Sequence, residues 1–325
     1  MRYLNIESRS EINRTRTESA VFLIAASALA LATLFALSEV AGFERVWDRL
    51  QSVDPIWFLV AFGAEIVAYL GYVIGYREVA RVDEGPKMKH GHAAAAVAAG
   101  FGPFVTGGGF ALDVHAFKLQ GITDREARVR VLGLGALEYA TLAPAACIAS
   151  IQLLAAGAHT PTIGLTLPWA IAVPLGFAAA MWAMGHRQRF RGKGYLKDGL
   201  AQALESIYVL KCLFARRHLA GPAGATLYWF GEIVCLWACL HAFAHGAPNV
   251  ELLLIGYATG YALTRRTLPL GGAGAVEALL PFALSWTGVP LAAAVLAVFT
   301  YRVFNFWLPV VPAVVGLRSM RAQTA

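Results

Sequence analysis

The feature that most limits what this chain can become is a series of long apolar runs, at about 20–41, 56–77, 91–112, 129–156, 166–185, 222–245, 250–285 and 290–316. A helix that crosses a bilayer needs roughly 20 consecutive apolar residues, and six of these runs have the continuity for that. The third and seventh do not. Gly100-Phe101-Gly102-Pro103-Phe104-Val105-Thr106-Gly107-Gly108-Gly109 interrupts one, and Leu268-Pro269-Leu270-Gly271-Gly272-Ala273-Gly274 the other. Gly and Pro at that density stop a continuous helix. Inside a membrane a broken helix is tolerated only where protein or a watery cavity covers the freed backbone groups. The expected fold is all-α: a polytopic helical membrane protein with about six full spans and two broken segments.

Composition agrees. Of 325 residues, 58% are hydrophobic and 14% charged, against about half and about a quarter in soluble domains. Too little polar material remains to wet a soluble surface. That excludes two soluble domains, a disordered chain and a nucleic-acid binder, in spite of a formal charge of +7. The polar stretch 1–19 is too long an n-region for an ordinary signal peptide, so the first run is expected to stay as an anchor. Cys147, Cys212, Cys235 and Cys239 lack the spacing of a disulfide scaffold and read as small apolar residues.

Loop charge sets the expected topology, because cytoplasmic loops carry the excess of Lys and Arg. Segment 186–217 is basic, as are 77–90 and 113–130, whereas 157–165, 246–250 and 286–290 contain no Lys or Arg. The apolar piece between 77–90 and 113–130 must then enter and leave from the same side, as a re-entrant hairpin. The same logic makes 250–285 a hairpin opening outward; two full spans, 250–265 and 268–285, fit the charges equally well. Both termini are expected inside, with Arg14 and Arg16 at one end and Arg318 and Arg321 in or beside the tail 318–325. Segment 200–217 reads either as an amphipathic helix on the inner leaflet or as an extension of the next span.

The single membrane domain expected over 20–317 contains an internal echo. Gly107-Gly108 before Asp113 and Gly271-Gly272 before Glu277 differ by 164 positions, while Gly121-Ile122-Thr123 and Gly288-Val289-Pro290 differ by 167. At 164 Glu138 faces Arg302; at 167 it faces Asn305. Repeats at about 56–157 and 222–317, of opposite orientation and each with a broken helix, are a common transporter plan.

Glu65, Glu138, Glu232 and Arg302 lie inside apolar runs, and Asp113, Glu277, Arg265 and Arg266 flank the breaks. A charge at the centre of a span costs about 2.5–3.5 kcal/mol even on the lenient insertion scale, so these groups should face the interior, paired or in water. Tyr69, Tyr72 and Tyr76 fall within about 40° of Glu65 on a helical wheel. That stripe suits a polar ligand or a buried carboxylate. Arg302, Arg265 and Arg266 are the best anion contacts, since a guanidinium binds phosphate oxygens with forked geometry. Glu232, Cys235, Cys239, His241 and His245 suggest metal ligands by type, but one helix cannot turn them to one ion, and no metal is expected. No nucleotide signature is present, so no cofactor is expected either.

The run Leu268 to Glu277, then Gly288-Val289-Pro290, Tyr301-Arg302 and Phe306-Trp307-Leu308-Pro309, resembles the C-terminal signature of the flippase-like transmembrane region of lysylphosphatidylglycerol synthases, which also exists as stand-alone membrane proteins. Leu270 replaces the second Pro of the family pattern. Gly107 to Gly121 is similar to the family's first Gly-rich turn, with Asp113 and His115 or Lys118 in place of its charged residues. The resemblance implies translocation of an anionic or other lipid-linked headgroup between leaflets of a bacterial-type cytoplasmic membrane. The headgroup would sit on Arg302, Arg265, Arg266, Gly271, Gly272, Gly274, Gly107 and Gly108. Glu277, Asp113, Glu138 and Glu65 would balance charge or carry a proton. Ending at residue 325, the chain is expected not to aminoacylate lipids itself. Two other readings stand beside it: an integral membrane transferase using lipid-linked donors, and a scaffold for a separately encoded lipid-modifying enzyme.

Overall fold

The computed structural model describes residues 4–101, 108–157, 162–186, 195–215, 219–244, 248–262 and 272–322, and every regular element among them is helical. In chain order these are α1 (Leu4–Ala41), α2 (Phe43–Gln51), α3 (Ile56–Ala80), α4 (His90–Gly100), α5 (Gly108–Leu119), α6 (Asp124–Ala155), α7 (Thr162–Gly185), α8 (Tyr195–Ala215), α9 (Ala220–Phe243), α10 (Val250–Tyr257), α11 (Ala275–Trp286), α12 (Leu291–Arg302) and α13 (Val310–Ala322). A π-helical turn, Ala258–Ala262, continues α10, and another, Val303–Trp307, joins α12 towards α13. Among the described residues six helical stretches are long and apolar enough to cross a membrane: Ala20–Ala41, α3, α6, α7, α9 and Leu291–Met320. They coincide with the six continuous runs of the sequence.

The two broken runs become pairs of short arms. α4 has 11 residues and α5 has 12; α10 has 8, its π turn 5, and α11 has 12. At about 1.5 Å per residue, each described arm is shorter than the roughly 30 Å hydrocarbon core. Residues 263–271, including Arg265 and Arg266, lie outside the described residues.

Neighbouring helices pack on the described residues that flank the breaks. α13 lies on α4, where a Cβ on Gly316 would collide with Ala95 and Ala99. α1 lies on the second break, with Ala26, Ala273 and Phe306 buried together and Trp307 donating its indole N–H to Ser27 Oγ at 3.1 Å.

At the centre α3 and α9 run antiparallel in close contact. A Cβ on Gly231 would stand 2.5 Å from Ala64 O and Ala68 N, and one on Gly71 would stand 2.5 Å from Tyr228 N. Only glycine lets the two backbones approach this far, the small-residue packing by which helices associate in lipid. The most hydrophobic windows of α9 and of Leu291–Met320 are 61% buried, those of α1 and α7 only 17%. The first pair is therefore the core and the second the lipid-facing wall.

Basic segments meet at one end of the bundle. Arg130 Nη2 donates to Val82 O at 3.0 Å, and Arg125 pairs with Glu205 of α8 at 2.8 Å. Uncharged connections meet elsewhere, where Thr162 Oγ1 donates to Trp286 O at 3.1 Å. α8 buries Val209 and Leu213 on the basic end of the bundle. α2 is an element the hydropathy reading passed over, being too short for a span. Its exposed Phe43, Trp47 and Leu50 recur at helical spacing, with buried Val46 at the edge of the same apolar stripe, the pattern of a helix lying in the interface plane.

Helix boundaries support the 167 register of the internal echo. α5 and α11 end 167 residues apart, at Leu119 and Trp286, and α6 and α12 begin 167 residues apart, at Asp124 and Leu291. The turns between them close alike. Gly121 N donates to Lys118 O and Ile122 N to Phe117 O, just as Gly288 N donates to Ser285 O and Val289 N to Leu284 O. Gly121 and Gly288 hold φ at +84° and +96°, the left-handed conformation that glycine adopts without steric cost. In this register Glu138 corresponds to Asn305 and Glu65 to Glu232. Asp113 falls opposite Leu280, about one helical turn from Glu277.

Candidate functional site

The second break ends in glycines whose backbone is left-handed: Gly272 at φ +72° and Gly274 at φ +81°. Gly274 is the N-cap of α11, and its N–H donates to Glu277 Oε2 at 2.7 Å. A carboxylate three residues into a helix that reaches back to the cap N–H satisfies one of the donors orphaned at the helix start. It also sits at the positive end of the helix dipole. Local sequence thus places Glu277 by itself; what it meets is tertiary.

It meets Arg302, the last residue of α12. Arg302 Nε donates to Glu277 Oε1 at 2.7 Å, and the two side chains are only 1% and 3% exposed. The guanidinium lies over the ring of Phe306, 4.3 Å from its centroid, and its Nη1 donates to Asn305 Oδ1 at 3.3 Å. A pair this buried is expensive to break rather than to keep. Removing one partner of such a pair leaves an uncompensated charge and costs about 3–5 kcal/mol.

Asn305 extends the pair into a larger cluster. Its Nδ2 donates to both carboxylate oxygens of Glu232, at 2.8 Å each, and its Oδ1 accepts from the Tyr261 hydroxyl at 2.8 Å. Glu232, on α9, is fully buried. It also accepts from Tyr301 and, at 3.4 Å, from Tyr257. The rings of Tyr257, Tyr261 and Tyr301 pack together, with centroids 5.1–6.3 Å apart. Each π turn supplies a member, Tyr261 from the first and Asn305 from the second. Such turns recur at functional sites because one extra residue per turn re-aims the side chains.

The other residues named from the sequence are distributed as follows. Glu65, buried on α3, acts electrostatically on Tyr257, Tyr261 and Tyr301 and so borders the cluster. Glu138 is buried on α6, where its carbonyl oxygen accepts the Trp229 indole N–H at 2.8 Å. Asp113 belongs to the first hairpin: its carbonyl oxygen accepts from the Tyr76 hydroxyl at 3.4 Å. Its Oδ1 lies against Gly100 of the other arm, 3.4 Å from the Cβ position. The tyrosine stripe of α3 docks that hairpin, with Tyr69 donating to Ala94 O and Tyr76 stacked on Phe117. Gly108 begins α5; Gly107 and Gly271, like Arg265 and Arg266, lie outside the described residues.

Sequence reasoning counted Glu232 as a buried charge but did not place it in the site, and it missed Tyr257 and Tyr261. A signal was present: the offset of 167 that pairs Gly121 with Gly288 also pairs Glu65 with Glu232. Cys235 and Cys239, one turn along α9, are free and buried.

A bundle of spanning helices around two broken arms, with an Arg–Glu pair buried where the second arm starts, defines an integral membrane protein built around charge held inside the bundle. Residues 21–313 match the lysylphosphatidylglycerol synthase TM region, and the chain belongs to that family. Comparison with curated proteins gives no match.

Proposed function

We propose that the protein is a lipid translocase that moves an anionic headgroup between leaflets while the acyl chains stay in the bilayer. The observation that carries the reading is the Arg302–Glu277 pair, a forked cation buried beside the start of a broken helix and held by an internal carboxylate. A phosphodiester carries the same single negative charge as that carboxylate, and a guanidinium pairs with either through its forked N–H donors. Headgroup entry is then an exchange, in which phosphate takes the place of Glu277 on Arg302.

The matching helix boundaries and turns at an offset of 167 support an inverted pair of repeats, about 56–157 and 222–317, as the moving parts. Clustering of basic segments at one end supports placing that end in the cytoplasm, with both termini on the same side.

The test is leaflet exchange of fluorescent phospholipids in proteoliposomes, with wild type beside Arg302→Ala and Glu277→Gln. Movement of anionic lipid that both variants lose supports the exchange mechanism. Movement that both retain moves the headgroup site elsewhere, and folded protein that moves no anionic lipid from a broad panel sinks the translocase.

A further inference from the structure

We propose that Glu232 is the proton site of this transport cycle, taking up one proton for each monoanionic headgroup that Arg302 accepts. The inference rests on the translocase reading above and adds to it the coupling ion and the residue that carries it.

Headgroup entry changes the count of buried charge. In the structure Arg302 and Glu277 offset each other, and Glu232 stands as a second carboxylate joined to them through Asn305. A phosphodiester that displaces Glu277 from Arg302 adds one negative charge to a cluster whose members are at most 6% exposed. Unbalanced charge inside a membrane bundle is costly, and a single proton restores the original count. Whatever the state of Glu65 on the neighbouring α3, that difference of one is unchanged.

The surroundings select Glu232 over Glu277. Without Arg302, Glu277 still holds the Gly274 N–H and the positive end of α11, both of which favour its ionised form. Among the described residues the hydrogen-bond partners of Glu232 are all neutral: Tyr301 and Asn305 from the last span, Tyr257 from α10. A tyrosine hydroxyl donates or accepts as required, so this cage serves the carboxylate and the carboxylic acid alike. It suits a metal ion poorly, because Asn305 turns its amide nitrogen, not its oxygen, to the carboxylate, whereas hard cations need oxygen ligands. Other titratable groups reach the cage from the elements packed around it. Glu65 comes from α3 and Cys235 from α9 itself, while the backbone of Glu138 on α6 is tied to Trp229. Among the described residues the cation in this setting is Arg302.

Joint movement of one proton and one monoanionic headgroup is electroneutral. The leaflet distribution should therefore follow the pH gradient and ignore the membrane potential. A gradient of one pH unit should concentrate the lipid about tenfold in the leaflet facing the alkaline side, because one unit is a factor of ten in proton activity.

The experiment measures the leaflet ratio of fluorescent phosphatidylglycerol in proteoliposomes, read with a membrane-impermeant quencher. Gradients of either sign are imposed with the potential clamped. Wild type should reach about tenfold in the direction given, and Glu232→Gln should lose this pH-driven accumulation. A second measurement needs no variant: binding of short-chain phosphatidylglycerol to detergent-purified wild type should take up about one proton per lipid from weakly buffered solution. Wild type that exchanges lipid but ignores the gradient overturns the coupling and leaves the translocase standing. A gradient response that survives in Glu232→Gln overturns the assignment to that residue, as does binding without proton uptake. Absence of any lipid movement removes the translocase reading and this inference with it.

Discussion

Replacing Arg302 by Met should be among the most damaging single changes in the protein, and restoring the charge balance should relieve part of the damage. The substitution keeps an apolar stem over Phe306 and deletes the cation. Glu277, 3% exposed, is left with the Gly274 N–H as its remaining described donor, and Glu232 is left beside it without a described counter-charge. Stripping one member from a buried pair costs about 3–5 kcal/mol. Glu277→Gln should cost less, towards about 3 kcal/mol on the same basis. Its amide oxygen still accepts from Gly274, and Arg302 still faces Glu232 through Asn305. The double variant Glu277→Gln/Arg302→Met removes both charges together and should be more stable than Arg302→Met alone, with a coupling energy of about 1.5–3 kcal/mol. The assay is reversible unfolding in mixed micelles followed by tryptophan fluorescence. Glu205→Ala is the control, because its pair with Arg125 is 44% and 65% exposed and should count for less than about 1 kcal/mol. The reasoning fails if the two single costs add within about 0.5 kcal/mol, or if Arg302→Met is no worse than Glu205→Ala.

Three further outcomes are expected. Gly231→Val should abolish the α3–α9 seam and the yield of folded protein, since its Cβ would stand 2.5 Å from Ala64 O, whereas Gly63→Ala, with nothing within 4 Å, should be nearly silent; size-exclusion profiles in detergent compare them. Gly274→Ala should cost more than about 1–2 kcal/mol through its positive φ and its clash with Leu29 at 2.7 Å. Adding Leu29→Ala should recover the steric part and leave the backbone part, which unfolding free energies can separate. Tyr301→Phe should destabilise by about 1.5–3 kcal/mol, the range for a hydrogen bond to a charged group. Tyr257→Phe should cost less, since its hydroxyl is 3.4 Å from Glu232; equal losses would show that Glu232 does not distinguish the two.

Much of the fold was legible because the signals are local. Apolar length marks a span, and glycine and proline mark a break, whatever surrounds them. Runs 20–41 and 56–77 therefore appear as helices at Ala20–Ala41 and Ile56–Ala80. Glu277 was legible too, because its partner, the Gly274 N–H, is three residues away. α2 was not, since nine residues with four charges carry no hydropathy signal until the packing of Val46 shows which face is inside.

The site divides along the same line. By itself the sequence determined that this is a helical membrane protein, where its helices break, and that several carboxylates and an arginine must lie inside. Insertion energetics depend only on the apolar run in which each residue sits. Which charges meet was decided by tertiary structure. Arg302 reaches Glu277 across 25 positions, and Asn305 reaches Glu232 across 73. Those meetings depend on how α9, α11 and α12 cross, and on two π turns that re-aim Tyr261 and Asn305. Asp113, equally acidic and equally close to a glycine-rich break, was turned to the first hairpin instead. A carboxylate carries no label for its partner, and helix packing supplies one.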